Sequence, residues 1–79
     1  MMALMSCSKS ERELLRDFGA RLRRARRDKG WSQEELAFRS GLHRTYVGSV
    51  ERAERNLTLI SLRKLAVALG CPPGDLLGP

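Results

Sequence analysis

Arg44, Thr45 and Ser49 are the residues of this chain whose types and spacing offer a recognisable chemistry. Arg44 and Thr45 are adjacent, and Ser49 follows one helical turn later on the same face of any helix that carries all three. An arginine guanidinium holds guanine O6 and N7 in a bidentate fork, a contact that discriminates by about 1–3 kcal/mol. Threonine offers a methyl to thymine or a hydroxyl to a base edge, and serine a second hydroxyl. This is hydrogen-bond readout of base-pair edges, and it breaks no covalent bond. Catalysis has far less to work with. His43 stands alone, with no nucleophile or paired carboxylate nearby in sequence. Cys7 and Cys71, with one histidine, do not make a zinc spacing. The sequence therefore predicts no metal, no cofactor and no enzyme activity.

Other polar residues surround this trio. Gln33 falls in the first turn of a preceding helix, where its amide and free backbone N–H groups can meet a phosphate. His43 precedes Arg44 as a helix cap or a phosphate contact. Tyr46 either packs back on the core or bonds a phosphate. Arg52, Arg55 and Asn56 come just after and are placed to hold a nucleic-acid backbone beside the groove. Six of the nine residues from Arg21 to Lys29 are basic. They form either a phosphate-facing patch or an ordinary solvated helix face.

The elements that must position these residues follow from the apolar pattern. Leu36, Ala37, Leu42, Val47 and Val50 are small or apolar, and Gly41 sits between two helix-compatible runs. That pattern predicts a helix-turn-helix, with Ala37 at the close crossing and Gly41 turning the chain through positive φ. The second helix then presents Arg44, Thr45, Gly48, Ser49 and Arg52, a small and basic face suited to a major groove. Gly48 is unusual there, because a mid-helix glycine costs about 1 kcal/mol relative to alanine.

Residues 1 to 9 read as a tail, and residues 10 to 79 as one helical domain. Ser10 caps a first helix with Glu11 and Glu13 at its start. Its stripe is Leu14, Leu15, Phe18, Leu22 and Ala25, and Gly30 closes it. Trp31 follows as a plug between helices. Ser32 and Glu35 have the spacing of a capping box for the second helix, which makes Glu35 structural. The third helix spans roughly His43 to Arg52, and Ala53 to Leu57 form a loop. Thr58 caps a fourth helix through Leu69, with Leu59, Leu62, Leu65, Ala66 and Leu69 as its buried stripe. Pro72 and Pro73 open a short last turn carrying Leu76 and Leu77. The expected class is all-α with five helices.

Composition narrows the partners. Seventy-nine residues make one small domain with a modest core and no room for a second, ligand-binding domain. The net charge is +6, with twelve arginines against three lysines, a balance that favours a polyanion. The opening MMALMSC is too short for a signal-peptide core, and nothing approaches the roughly 20 apolar residues of a membrane span. Both cysteines read as reduced thiols of a cytosolic protein, Cys71 half-buried.

With these residues assembled, the chain resembles the lambda-repressor-like, Xre-type helix-turn-helix family. The resemblance rests on Gly30-Trp31-Ser32-Gln33-Glu34-Glu35-Leu36-Ala37, on Gly41, on Arg44-Thr45-Tyr46-Val47 and Val50-Glu51. It continues in Leu62-Arg63-Lys64-Leu65-Ala66 and Ala68-Leu69-Gly70, covering about residues 12 to 77. It implies a compact five-helix domain whose third helix reads the major groove, with Gln33 as a second-helix contact and Arg44, Thr45 and Ser49 at base-reading positions. It also implies a structural ion pair between Arg26 and Glu51. The size and the stretch HRTYVGSVERAERNLTLISL are most similar to controller proteins of restriction–modification systems. Those are small homodimers that bind operators upstream of their own gene and the endonuclease gene. The alternative is an antitoxin-type or phage-repressor-type regulator whose main partner is another protein. The expected partners are thus a double-stranded DNA operator and a second copy of the chain, with no membrane and no small-molecule substrate. Ile60, Leu76 and Leu77 are the interface candidates, against plain core packing, since a two-fold dimer reads two half-sites about 34 Å apart.

Overall fold

A computed structural model describes residues 10 to 78. Five helices follow in order: α1 (Glu11–Asp28), α2 (Gln33–Ser40), α3 (Arg44–Glu51), α4 (Leu59–Leu69) and α5 (Pro73–Leu77). No strand occurs among the described residues. The expected residues 1 to 9 lie outside them.

The helix ends are set by local chemistry. Ser10 and Glu13 form a complete capping box: Oγ of Ser10 accepts from the Glu13 N–H at 3.1 Å, and Oε1 of Glu13 accepts from the Ser10 N–H at 3.0 Å. Ser32 caps α2 by accepting from the Glu35 N–H at 2.9 Å. The Glu35 carboxylate does not return that bond; it accepts from Arg39 Nε one turn on. Thr58 caps α4 through the Ser61 N–H. Gly41 and Gly70 end α2 and α4 in the left-handed conformation, as an αL cap requires. His43 caps α3 with its ring: Nδ1 accepts from the Thr45 N–H at 3.0 Å. That leaves Nε2 to carry the proton of the neutral ring.

The core is built by stripes that meet from all five helices. Phe18 and Leu22 of α1, Leu36 and Ala37 of α2, and Val47 and Val50 of α3 form one part. Leu62, Leu65, Ala66 and Leu69 of α4, with Leu76 of α5, complete it. Burying each larger side chain contributes about 1.5–3 kcal/mol. In pairs, α2 packs on α3 and on α4, α1 packs on α3 and on α5, and α4 packs on α5.

Four apolar expectations need correction. Leu59 is 81% exposed, not buried, because it borders an open groove instead of filling the core. Leu14 is 45% exposed for the same reason at the start of α1. Trp31 is half-buried; its open face is covered by Arg39, whose guanidinium carbon lies 4.4 Å from the ring centroid, with Lys29 at 5.8 Å. Leu76 is 2% exposed within one chain, so it is a core residue and offers nothing to a partner.

Candidate nucleic-acid interface

Helices α2 and α3 with the turn Gly41–His43 bring Gln33, Arg44, Thr45, Gly48 and Arg52 to one open groove, which Ser32 and Glu34 border. Gly48 is its floor. A methyl there would lie 3.2 Å from Arg52 Nη1 and 3.3 Å from Gln33 Oε1. The ends of those two side chains therefore lie close over the glycine. The Arg44 side chain is 69% exposed at the N-terminal end of α3, and its Nη1 stands 4.0 Å from the carboxylate of Glu34, whose side chain is 77% exposed. Thr45 is exposed beside it. An exposed pair at that distance contributes little to stability, so Arg44 is available to another acceptor.

Beneath the groove lies a buried polar network. The Glu51 side chain is fully buried and accepts from Arg26 Nε at 2.7 Å and from Arg26 Nη2 at 3.0 Å. A third Arg26 donor reaches the Trp31 carbonyl at 2.8 Å. The ion pair expected between Arg26 and Glu51 is thus present, and it is bidentate. Two further donors were not legible in the sequence: Gln33 Nε2 at 2.9 Å and, more loosely, Arg23 Nε at 3.5 Å. Burial alone would push the Glu51 carboxyl up, but the bonds from Arg26, Gln33 and Arg23 outweigh it and hold the group below its ordinary value. The Glu51 bond holds the Arg26 guanidinium above its own ordinary value.

The network changes the reading of Gln33. One amide hydrogen is committed to Glu51 and the Glu35 N–H to the Ser32 cap, so the other amide hydrogen and the backbone N–H groups of Gln33 and Glu34 remain for an anion. Ser49 differs more. It is 8% exposed, and its hydroxyl donates to the Tyr46 carbonyl at 2.9 Å. This is the back-bonding to an earlier carbonyl that serine favours inside helices, and it turns the hydroxyl away from a base edge. Tyr46 packs against the core, with its hydroxyl closed to solvent and without a partner among the described residues. Of the two readings for Tyr46, the structure displays core packing.

The flanking residues lie at the end of α3 and on the loop beyond it. Arg52 is exposed and its Nε donates to Glu54 at 3.1 Å. Arg55 and Asn56 are exposed in the α3–α4 loop. Among the described residues no group of three or more His, Cys, Asp or Glu side chains could hold a metal ion, and no helix is long and apolar enough to cross a membrane.

Comparison with known proteins places this geometry. The helix-turn-helix family model matches residues 22–76. The control protein C.BamHI of Bacillus amyloliquefaciens is 48% identical over 61 residues, which span 76% of this chain and 75% of that protein. The crystal structure of the restriction–modification controller protein C.AhdI from Aeromonas hydrophila is 56% identical, with a TM-score of 0.77, covering 78% of this chain and 94% of that one. A hypothetical transcription factor from Neisseria is 46% identical, with a TM-score of 0.82, over 89% of this chain and 80% of that one. Five helices in this order, a groove floored by glycine between α2 and α3, and these similarities lead to one statement: the chain belongs to the helix-turn-helix family of transcriptional regulators that includes the restriction–modification controller proteins.

Proposed function

We propose that this protein is a cytoplasmic, homodimeric, sequence-specific DNA-binding regulator of the controller class, acting at the promoter region of its own gene. The observation that carries the reading is the groove between α2 and α3. It sets an exposed arginine and threonine at the start of α3 over a glycine floor. Base readout falls to Arg44 and Thr45. Backbone contacts fall to the N-terminus of α2 with Gln33, and to Arg52, Arg55 and Asn56. His43 serves as the cap that orients the first turn of α3.

A dimer is the economical way to gain specificity from one short recognition helix. The α4 residues Leu59, Ile60 and Val67 are 81%, 70% and 70% exposed, and Leu77 of α5 is 49% exposed. With Leu14 and Leu57 they border two adjoining apolar grooves that share Leu59 and Leu62. Soluble monomers rarely leave such a contiguous apolar face open, and a second copy of the chain is its proposed occupant. Ile60 and Leu77 keep the interface role expected of them, and Leu59 and Val67 join them.

The test is a fluorescence-anisotropy titration against duplex from the gene's own upstream region and a scrambled duplex of equal length, at two salt concentrations. Tight, cooperative binding to the upstream duplex alone is expected. Arg44→Ala should then lose about ten- to a hundredfold on that duplex, as one bidentate base contact requires, and much less on the scrambled one. Equal binding to both duplexes, with equal salt dependence, would refute sequence-specific regulation.

A further inference from the structure

Arg55 stands on the α3–α4 loop with neither helix nor strand to hold it. Its guanidinium carbon nonetheless lies 5.5 Å from the centroid of the Tyr46 ring, within the range of a cation–π contact. The Tyr46 ring is wedged against the core, and its hydroxyl is buried and has no hydrogen-bond partner among the described residues. A buried hydroxyl without a partner is a net cost, so the free protein gains from the ring of Tyr46 and not from its hydroxyl. The backbone on either side of the contact is held by hydrogen bonds. The Tyr46 carbonyl accepts the Ser49 hydroxyl on α3. The start of the loop is pinned by the Ala53 and Glu54 N–H groups, which donate to the Val50 and Ser49 carbonyls at 3.0 and 2.8 Å.

We propose that Tyr46 is a positioning residue: its ring is the platform that holds the Arg55 guanidinium ready for a DNA phosphate beside the recognition helix. This rests on the DNA-binding reading above and assigns Tyr46 an indirect part in it. An arginine that meets a phosphate must first surrender its rotamer freedom. A guanidinium already lying on an aromatic face has lost part of that freedom before DNA arrives, and its planar edge stays free to donate.

The intact chain and its Tyr46→Phe, Tyr46→Leu, Arg55→Ala and Tyr46→Leu/Arg55→Ala variants test this with two readouts. In the free protein, NMR should show the Arg55 side-chain protons shifted upfield by the ring current, in the wild type and in Tyr46→Phe, and unshifted in Tyr46→Leu. On DNA, Tyr46→Leu should weaken binding to upstream and scrambled duplexes alike by about two- to fivefold, the size of an exposed cation–π contact. Arg55→Ala should lower the salt slope by about 0.9, one phosphate contact. The double variant should bind no worse than Arg55→Ala, and Tyr46→Phe should bind as the wild type does. An unshifted Arg55 in the wild type would overturn the proposal. So would independent losses in the double variant, or a Tyr46→Phe that binds as poorly as Tyr46→Leu, because the hydroxyl would then touch DNA itself. If Tyr46→Leu fails to fold, the wild-type shift and the Tyr46→Phe titration decide the matter. A wild type that binds neither duplex refutes the regulator reading, and the phosphate role of Arg55 with it. Failure of the platform alone leaves wild-type binding intact and appears only in the variants.

Discussion

Two glycines of this fold invite the same substitution and should answer it oppositely. Gly19 lies mid-way along α1, where helix propensity favours alanine by about 1 kcal/mol. A methyl there would meet the backbone carbonyl oxygens of Glu51 and Val50 at 2.6 and 2.8 Å. Backbone cannot step aside, so Gly19→Ala should destabilise by about 1–3 kcal/mol in chemical denaturation. At Gly48 the methyl would meet only the tips of Arg52 and Gln33. Gly48→Ala should therefore gain up to about 1 kcal/mol of stability while weakening binding to the upstream duplex, because it lifts both side chains off the groove floor. The reverse pattern in denaturation would show that the α1–α3 crossing is not closed at Gly19. Glu51 gives a third residue-scale expectation. Its carboxyl is held below its ordinary value of 4.5 in the folded protein, so its contribution is complete above about pH 4.5 and fades as pH falls through the lower folded value. Glu51→Gln should flatten that acid limb of the stability curve. At neutral pH it should cost about 3–5 kcal/mol, because Arg26 is left buried without its counter-charge. Urea melts of the two proteins from pH 3 to pH 7 measure both effects, and parallel curves would contradict the pairing.

At the scale of elements, what could be read in advance was what neighbours in sequence determine. Ser10 with Glu13, Ser32, Thr58, and the glycines at 41 and 70 act within one turn of their own helices, and each ends or begins a helix where the residue types predict. The Arg26–Glu51 pair was accessible only through resemblance, since its members lie 25 positions apart. Gly19 and the Gln33–Glu51 bond were not accessible at all, because their partners come from other helices and no residue type announces them. Ser49 misled for a related reason. Periodicity puts it on the face of Arg44 and Thr45, but it is buried there and its hydroxyl is bound to its own helix, which geometry decides and periodicity does not. The turn after α3 shows the same limit. Ala53 adopts φ 62°, the left-handed conformation, without being a glycine. The turn is closed by its N–H to the Val50 carbonyl and by the Glu54 N–H to the Ser49 carbonyl, the pattern in which glycine is usual. A Cβ in that conformation costs roughly 1–2 kcal/mol, and part of the gain from removing it is returned as unfolded-state entropy. Ala53→Gly should therefore raise stability by about 0.5–1 kcal/mol, and the melting midpoint with it. No gain would mean that the loop stores no strain.

For the whole molecule, the same surface charge has opposite consequences for its two proposed associations. A chain of net charge +6 repels its own copy, so the face of Leu59, Ile60, Val67 and Leu77 must bind against that repulsion. Added salt screens the repulsion, and dimerisation should strengthen as ionic strength rises. DNA binding releases counterions and should weaken over the same range. Sedimentation equilibrium of the free protein at 50 and 300 mM salt, beside anisotropy titrations at the same concentrations, separates the two slopes. Point variants then locate the face. Ile60→Glu adds a charge to a residue that one chain leaves 70% exposed, so it should yield a folded monomer with native circular dichroism and poor binding to paired half-sites. Leu76→Glu places a charge where one chain is already closed, and it should unfold the protein instead of splitting a dimer. A dimer that survives Ile60→Glu and weakens with salt would mean that the two copies meet through charged groups, and α4 would then be free for a different partner.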